Sequence, residues 1–309
     1  MNPATIDRNA DQDRALIDLD QYGTVGRSEW MDIDWAAHTH IATVGQDQIE
    51  YVEYGAVDAP PLILIHGLAA SWQCWLENIP ALARDFRVIA IDLPGFGRSK
   101  MPRDQISIPG YARVVAELMD SLGIERASLI GNSMGGQTSL RFALDYPERV
   151  ERVILVSPAG YSTSTLPSAA RNAASVFSPA IRPLLGANRE IAARPRLRKR
   201  VLYGICAHAD QLSPDIVLQL MGFSKKPGFS DALDALLSHD FREELVNVAT
   251  PVLIIWGRKD LLIGSGDAHR MAAKIPGSRK MVLNDTAHVA MVERPAWFNA
   301  TAREFLLES

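Results

Sequence analysis

Along most of the chain, stretches with the hydrophobic pattern of a strand are followed by stretches with the pattern of a helix. Residues 41–44 and 49–54, with Gly45 in the turn between them, have the pattern of a β-hairpin. Further along, short continuous apolar runs are typical of strands that are buried on both faces. These runs lie at residues 62–66, 88–92, 127–130, 153–156, 252–256 and 280–283. Helical spacing separates them, for example at 111–122, and this order predicts a doubly wound, mostly parallel sheet of the α/β class.

The pattern changes between residues 160 and 247, where no β-type apolar run occurs. The stretch is interrupted by prolines at Pro167, Pro179, Pro183, Pro195, Pro214 and Pro227. Its apolar spacing favours short helices, for example at 215–221 and 231–237. We therefore predict a helical cap over 160–247, inserted late in the strand series of a core formed by 39–159 and 248–309. Residues 1–38 are polar, lack a clear period and are assigned to an N-terminal extension.

The composition is that of a globular protein. Of the 309 residues, 47% are hydrophobic and 22% are charged, values close to the globular average. The chain has 32 Lys and Arg against 36 Asp and Glu, a net charge of −4. Nucleic-acid binding would require a clearly basic domain or surface, which this composition does not indicate. No apolar run reaches the roughly 18 residues of a membrane span, and the polar, acidic N-terminus is unlike a secretory signal. We expect a cytoplasmic protein that acts on a small molecule.

The strongest chemical signal is Gly131-Asn132-Ser133-Met134-Gly135, which lies directly between a predicted strand and a predicted helix. A sharp strand-to-helix turn holds its central residue in a strained backbone conformation, and only small neighbours fit beside it. Such a turn raises the serine hydroxyl above the sheet, at the positive end of the helix. The pattern predicts that Ser133 is a nucleophile.

A serine hydroxyl needs a positioned base, and the base needs an acceptor on its other ring nitrogen. His288 and Asp260 each follow a predicted strand at its carboxyl end, where open α/β sheets place their sites. The chain order Ser133, Asp260, His288 is the one expected for this fold class. Asp267 and Asp285 are alternatives for the acid role. Asp285 lies only three residues before His288, so we expect it to stabilise the loop rather than to act as the acid.

Two backbone N–H groups are needed to stabilise a developing oxyanion. We expect one from Met134, at the start of the helix behind the nucleophile. The second is expected from the loop after the strand at 62–66, where Leu68 is the first choice and Ala69 the alternative. The His66 side chain is interpreted as a structural support for that loop.

Five segments together resemble the α/β-hydrolase superfamily, in order from about residue 40 to the C-terminus. They are His66-Gly67, the DLPGFGRS run at 92–99, the GNSMGG run at 131–136, the WGRKD run at 256–260, and His288. The resemblance implies Ser133 as nucleophile, Asp260 as acid and His288 as base, with the N–H groups of Leu68 and Met134 as oxyanion donors. It also implies that the loop containing Asp92 is structural.

Single residues separate the branches of this superfamily. Haloalkane dehalogenases and epoxide hydrolases of this fold use an aspartate nucleophile, whereas this chain has Ser133. Carbon–carbon hydrolases of meta-cleavage products share the GNSMGG turn, but they usually carry Gly-Pro-Gly after the His-Gly pair and Gly-His-Trp around the base. Here the corresponding residues are Leu68-Ala69-Ala70 and Ala287-His288-Val289.

The sequence therefore favours a serine hydrolase that cleaves a carboxylic ester through an acyl-enzyme. Apolar residues of the predicted cap suggest a small or medium hydrophobic acyl group: Leu184, Leu185, Val217, Leu220, Met221 and Phe223. Such a reaction needs neither a metal nor an organic cofactor, and Cys74 and Cys206 are too few for a cysteine-rich metal site. The alternatives are carbon–carbon hydrolysis of a dienoate, or a ligand receptor on the same fold. A basic run at 189–200 is interpreted as a solvated helix face rather than an anion-steering patch.

Overall fold

An eight-stranded β-sheet forms the centre of the described structure. The computed structural model describes residues 21–45, 47–163, 189–221 and 227–308. The strands are β1 (Thr39–Val44), β2 (Asp47–Tyr54), β3 (Pro61–Ile65), β4 (Arg87–Ile91), β5 (Ala127–Asn132), β6 (Val150–Val156), β7 (Val252–Gly257) and β8 (Arg279–Leu283). Each predicted apolar run corresponds to one of them, and the predicted hairpin is the antiparallel pair β1–β2. The predicted sheet and its α/β class are therefore confirmed.

The order of the strands marks one place on the sheet as the expected site. Their order is β1-β2-β4-β3-β5-β6-β7-β8. Strand β2 pairs antiparallel with β1 and β4, and the remaining pairs are parallel. The chain moves outward from β3 to β4 and then returns to the other side of β3 to form β5. Ligands of open α/β sheets bind beside the carboxyl ends of strands where the order reverses in this way.

Helices join and cover the strands. They are α1 (Ile79–Leu82), α2 (Ile108–Ser121), α3 (Met134–Asp145), α4 (Arg189–Ala193), α5 (Pro195–Val201), α6 (Pro214–Leu220), α7 (Phe229–Ser238), α8 (Gly266–Lys274), α9 (Ala290–Glu293) and α10 (Pro295–Leu306). Short 3-10 turns occur at Glu29–Asp32, Trp35–His38, Trp72–Trp75, Pro147–Arg149 and Leu245–Asn247. The helix predicted at 111–122 begins earlier because Ser107 caps it, accepting the Gly110 N–H at 3.1 Å. Within the described ranges, no helix combines the length and the apolar character needed to cross a membrane.

The described residues between β6 and β7 form helices α4 to α7 and contribute no strand to the sheet. The helices predicted at 215–221 and 231–237 are confirmed as α6 and α7, each within two residues of its predicted limits. The division of the chain at 38, 159 and 247 into extension, core and cap stays a prediction.

One residue of the basic run has a different role from the one predicted. Most of the run is exposed, but Arg198 of α5 is buried. Its guanidinium donates to the carbonyl oxygens of Ala192 (2.5 Å), Ala209 (3.2 Å) and Asp210 (2.9 Å). The interpretation of the whole run as a solvated face is therefore wrong for Arg198, which joins α4 and α5 to the turn that follows them.

Residues 21–38 pack against the core, although their sequence has no clear period. Trp30 is buried and its Nε1 donates to the Glu77 carboxylate at 3.0 Å. The ring of Trp35 lies 5.3 Å from that of Trp72 between centroids. Tyr22 donates its hydroxyl to Glu293 at 2.7 Å. This part of the predicted extension therefore contacts the stretch at 72–77, which follows β3, and the end of α9.

A buried carboxylate ties together the loops that follow β3 and β4. Asp92 is fully buried and accepts hydrogen bonds from the N–H groups of Trp72 (2.8 Å) and Arg98 (3.0 Å). Gly97 passes so close that a Cβ atom there would lie 1.5 Å from Asp92 Oδ2. Asp92 thus fixes the chain beyond the His66-Gly67 pair, which agrees with its expected structural role.

We expect Asp92→Ala to lower the free energy of unfolding by about 1–4 kcal/mol, because the buried Trp72 N–H loses its acceptor, at roughly 1–3 kcal/mol for such a group, and the less buried Arg98 N–H loses its acceptor at a smaller cost. Urea denaturation followed by circular dichroism measures the change. The exposed Asp58→Ala is the control and should change stability by less than about 0.5 kcal/mol. Equal losses for the two variants would contradict the role given to Asp92.

Candidate active site

The turn between β5 and α3 holds Ser133 in a strained conformation, with φ 55° and ψ −115°. Three glycines make room for it. A Cβ atom on Gly131 would lie 2.2 Å from the Gly135 carbonyl oxygen, and one on Gly135 would lie 2.2 Å from the Ile65 carbonyl oxygen. One on Gly136 would lie 2.8 Å from the Pro158 Cβ. Larger side chains at these positions would therefore push the turn away from the neighbouring backbone.

Backbone hydrogen bonds hold the strained residue in place. The Ser133 N–H donates to the Val156 carbonyl at 2.9 Å. The Ser133 carbonyl accepts from the N–H groups of Gln137 and Ala159, both at 3.1 Å. Met134 begins α3, so its N–H is among the first-turn donors that have no acceptor within the helix. The positive end of the helix dipole therefore lies at the serine.

The loop after β3 approaches the serine closely. A Cβ atom on Gly67 would lie 3.2 Å from the Ser133 Cβ. Leu68 and Ala69 follow, and Ala69 has a positive φ of 63°. His66 is buried: its Nε2 accepts from the Leu93 N–H at 3.0 Å, so its Nδ1 carries the proton and donates to the Gly67 carbonyl at 2.7 Å. His66 therefore supports this loop through backbone contacts, as the sequence indicated.

Asp260 and His288 form a buried pair at the carboxyl ends of β7 and β8. His288 Nδ1 donates to Asp260 Oδ2 at 2.7 Å, and each residue is 5% exposed. Asp260 also accepts from Trp256 Nε1 (3.1 Å) and from the N–H groups of Leu262 (2.9 Å) and Ile263 (3.0 Å). An ionised carboxylate is an acceptor only, so four donors suit the charged form. The arrangement fixes the tautomer that leaves His288 Nε2 as the acceptor.

The two rival acids have other partners. Asp285 Oδ1 accepts from His208 Nε2 at 2.8 Å and from the Lys259 ammonium. Burial acts to raise the pKa of Asp285, but these hydrogen bonds and nearby charges outweigh it and lower that pKa. Asp267 accepts from the Ser162 N–H at 3.0 Å and from Arg270 at 2.7 Å. Of the three acids, Asp260 is the one that contacts His288.

Ser133 and His288 open onto the same cavity, which has a volume of about 350 Å³. Leu68 and Ala69 line it on the side of the core. Much of the remaining lining is apolar and comes from the inserted stretch and from the loop after β7: Leu202, Ile205, Leu220, Leu233, Leu236, Leu237, Leu262 and Ile263. Asn132 and Thr163 are polar members of the lining. No acidic, lysine or arginine side chain is among the described lining residues.

The predicted pocket residues divide into three groups. Leu220 lines the cavity, whereas Val217 and Met221 are buried in the packing around it. Leu184, Leu185 and Phe223 lie outside the described residues.

Sequence reasoning missed several residues that hold the loop carrying His288. Asn132 Nδ2 donates to the carbonyls of Val156 (3.1 Å) and His288 (3.2 Å). The His288 N–H donates to the Ile205 carbonyl at 2.9 Å. Asn132 lies inside the GNSMGG run, so its position was a usable signal, whereas the contact with Ile205 depends on the inserted helices and has no sequence pattern. Among the described residues, no cluster of His, Cys, Asp or Glu side chains could hold a metal ion.

Comparison with known proteins gives the family. The sequence model described as alpha/beta hydrolase fold matches residues 60–295. The chain is 31% identical over 282 residues to the dihydrolipoyllysine-residue acetyltransferase component of an acetoin cleaving system from Cupriavidus necator, covering 88% of this chain and 70% of that protein. It is also 31% identical over 269 residues to a 2-hydroxy-6-oxo-6-phenylhexa-2,4-dienoate hydrolase from Comamonas testosteroni, covering 84% and 91%.

Among solved structures, the enol-lactonase from Burkholderia xenovorans LB400 is similar, with a TM-score of 0.71 and 26% identity. The match covers 87% of this chain and all of that one. Sequence, sheet order and this similarity agree, and the chain belongs to the α/β-hydrolase fold family as an α/β-hydrolase-type enzyme.

Proposed function

We propose that the protein is a serine hydrolase that cleaves a neutral carboxylic ester with a small or medium hydrophobic acyl group. The observation that carries the proposal is the shared cavity, in which Ser133 and the Asp260-paired His288 meet a lining of leucine and isoleucine side chains. Burial of an apolar acyl chain there is favourable. The similarity to an enol-lactonase, whose name describes cleavage of a cyclic ester, supports the same bond type.

The proposed reaction begins with proton transfer from the Ser133 hydroxyl to His288 Nε2 as the oxygen attacks the ester carbonyl. Asp260 stabilises the imidazolium that forms. The N–H groups of Met134 and Leu68 donate to the oxyanion. His288 then protonates the leaving alcohol. It later takes a proton from the water that attacks the acyl-enzyme and returns it to the Ser133 oxygen as the carboxylic acid leaves. Every step uses side chains and backbone groups of this chain.

We also propose that residues 160–247 act as the cap that selects the substrate. Leu233, Leu236 and Leu237 belong to α7 and line the cavity that Ser133 also lines. Leu220 of α6 and Ile205 extend the apolar lining. These positions lie outside the strand series, so the apolar wall that they form is separate from the strand ends that carry Ser133, Asp260 and His288.

Carbon–carbon hydrolysis of a dienoate is the second candidate. It is supported by the 31% identity to a protein named as a dienoate hydrolase and by the shared GNSMGG turn. A dienoate carries a carboxylate, however, and a buried charge needs a partner. The described cavity lining offers no cationic side chain, so a neutral ester fits it better. Release of an acid with no alcohol product would distinguish the two reactions.

Ser133→Ala should reduce kcat/KM by at least about 10³-fold, because removal of the nucleophile leaves only binding and oxyanion stabilisation. A series of p-nitrophenyl esters from acetate to decanoate measures the effect and sizes the acyl site. Ser121→Ala, at an exposed position of α2, is the control and should retain full activity. If the wild-type protein is folded but turns over none of these esters, the ester proposal is wrong.

Asp260→Asn should reduce kcat by about 10³–10⁴-fold, because an amide can present its N–H₂ to His288 and favour the wrong tautomer. Asp267→Asn and Asp285→Asn are matched controls, since both rivals lie near the site but contact other partners. We expect these two variants to keep kcat within about tenfold of the wild type. A larger loss in either control than in Asp260→Asn would reassign the acid.

Leu236→Trp should shift the preferred acyl chain to a shorter length, because the larger side chain fills part of the cavity. We expect kcat/KM for decanoate to fall at least about tenfold more than that for acetate. Leu307→Trp, at an exposed position after α10, controls for the general effect of a tryptophan. An unchanged chain-length profile in Leu236→Trp would exclude this part of the cavity as the acyl site.

A further inference from the structure

A buried carboxylate outside the triad contacts the backbone on both sides of His288. Glu293, at the end of α9, is fully buried. It accepts hydrogen bonds from the Ala287 N–H at 2.9 Å and from the Val289 N–H at 3.3 Å. These two residues are the immediate neighbours of His288. The direction in which the His288 side chain leaves the backbone therefore depends on Glu293.

Two further donors bring distant segments to the same carboxylate. Glu293 Oε2 accepts from the Ala207 N–H and from the Tyr22 hydroxyl, both at 2.7 Å. Ala207 belongs to the inserted stretch between β6 and β7, and Tyr22 belongs to the segment before β1. One side chain therefore joins the loop of the base to two parts of the chain that are remote in sequence.

The chemistry of the contacts matches an ionised glutamate. All four partners donate, and only a carboxylate accepts from every one without offering a competing proton. Burial raises the pKa of Glu293 above its usual value, and its hydrogen bonds with Ala207, Tyr22, Ala287 and Val289 offset only part of that rise. Burial also raises the pKa of Tyr22, which keeps its hydroxyl protonated as a donor.

Tyr22 is itself held on several sides. Its hydroxyl accepts from the His208 N–H at 2.8 Å, and its ring meets the His208 ring edge-on at 5.2 Å. The Arg294 guanidinium lies 5.1 Å from the centre of the Tyr22 ring and donates to the Asp285 carbonyl at 3.1 Å. Gly23 donates its N–H to the Glu293 carbonyl at 2.7 Å. The segment at Tyr22 and Gly23 therefore contacts Glu293 and Arg294 directly, after His288 in the chain, and Arg294 connects it to Asp285, before His288.

We propose that the Tyr22–Glu293 pair is a positioning device for the base, so that the segment before β1 completes the catalytic site. The inference rests on the proposed role of His288 and extends it. Tyr22 lies outside residues 60–295, which match the family model, whereas Glu293 lies within them. Small displacements of a catalytic group reduce rates strongly, and an anchored loop prevents them.

The decisive variant is Tyr22→Phe, which keeps the ring and removes the hydroxyl from both Glu293 and the His208 N–H. We expect kcat, corrected for active sites by titration with a fluorophosphonate, to fall about tenfold, with KM changed by less than about twofold. Tyr203→Phe, at an exposed tyrosine, is the matched control and should leave both constants unchanged. Glu293→Gln should lower kcat more than Tyr22→Phe does, because the amide N–H₂ that it introduces would face backbone N–H groups that need an acceptor.

Hydrogen exchange measured by mass spectrometry provides a readout that needs no substrate. In Tyr22→Phe, exchange of the peptide covering 285–293 should rise by about fivefold or more, while peptides of β5 stay unchanged. Lower thermal stability with unchanged corrected kcat would overturn the proposal, because it would make the pair merely structural. Unchanged exchange at 285–293 would overturn it as well. Failure of the ester proposal is visible separately, as absence of ester turnover in the wild-type protein. In that case, hydrogen exchange at 285–293 and the rate at which the fluorophosphonate modifies Ser133 test the positioning role of the Tyr22–Glu293 pair. An unchanged value of either in Tyr22→Phe would overturn it.

Discussion

The sharp turn at Ser133 is the constraint on which the rest of the site depends. A serine at φ 55° costs about 1–3 kcal/mol of backbone strain, so the surrounding structure must hold it there. Hydrogen bonds to Val156, Gln137 and Ala159 do so. The same turn brings Gly135 against the end of β3. Packing that accommodates the strained serine therefore also sets its distance from the loop that is expected to supply an oxyanion donor.

The second organising feature is the contrast between the two sides of the site. Behind His288, polar groups are paired: Asp260 accepts four hydrogen bonds, and Asn132 and Glu293 fix the loop backbone. In front of it, the described cavity lining is dominated by apolar side chains. Buried polar groups are costly unless they are paired, and the paired network lets the proposed base and nucleophile face an apolar space without exposing other charges. A neutral, hydrophobic substrate suits that space.

The sequence predicted the parts that follow from local patterns. Buried parallel strands have continuous apolar runs, so all eight strands were found, and the turn at Ser133 was found because its glycines are required by close contacts. The role of Arg198 was missed because its partners are backbone carbonyls of residues on either side of α5, and a backbone acceptor leaves no trace in residue type. The position of Tyr22 beside Glu293 was equally invisible, since the two are separated by 271 positions. Contacts of this kind depend on tertiary packing rather than on periodicity.

The central claim is that Ser133 is activated by His288 and becomes acylated. Its most direct test is reaction of the wild-type protein with a fluorophosphonate, followed by peptide mapping. The account predicts one adduct per chain, located on Ser133, and a rate of modification that falls sharply in His288→Ala. Absence of an adduct in a folded protein, or an adduct at another residue, would contradict it.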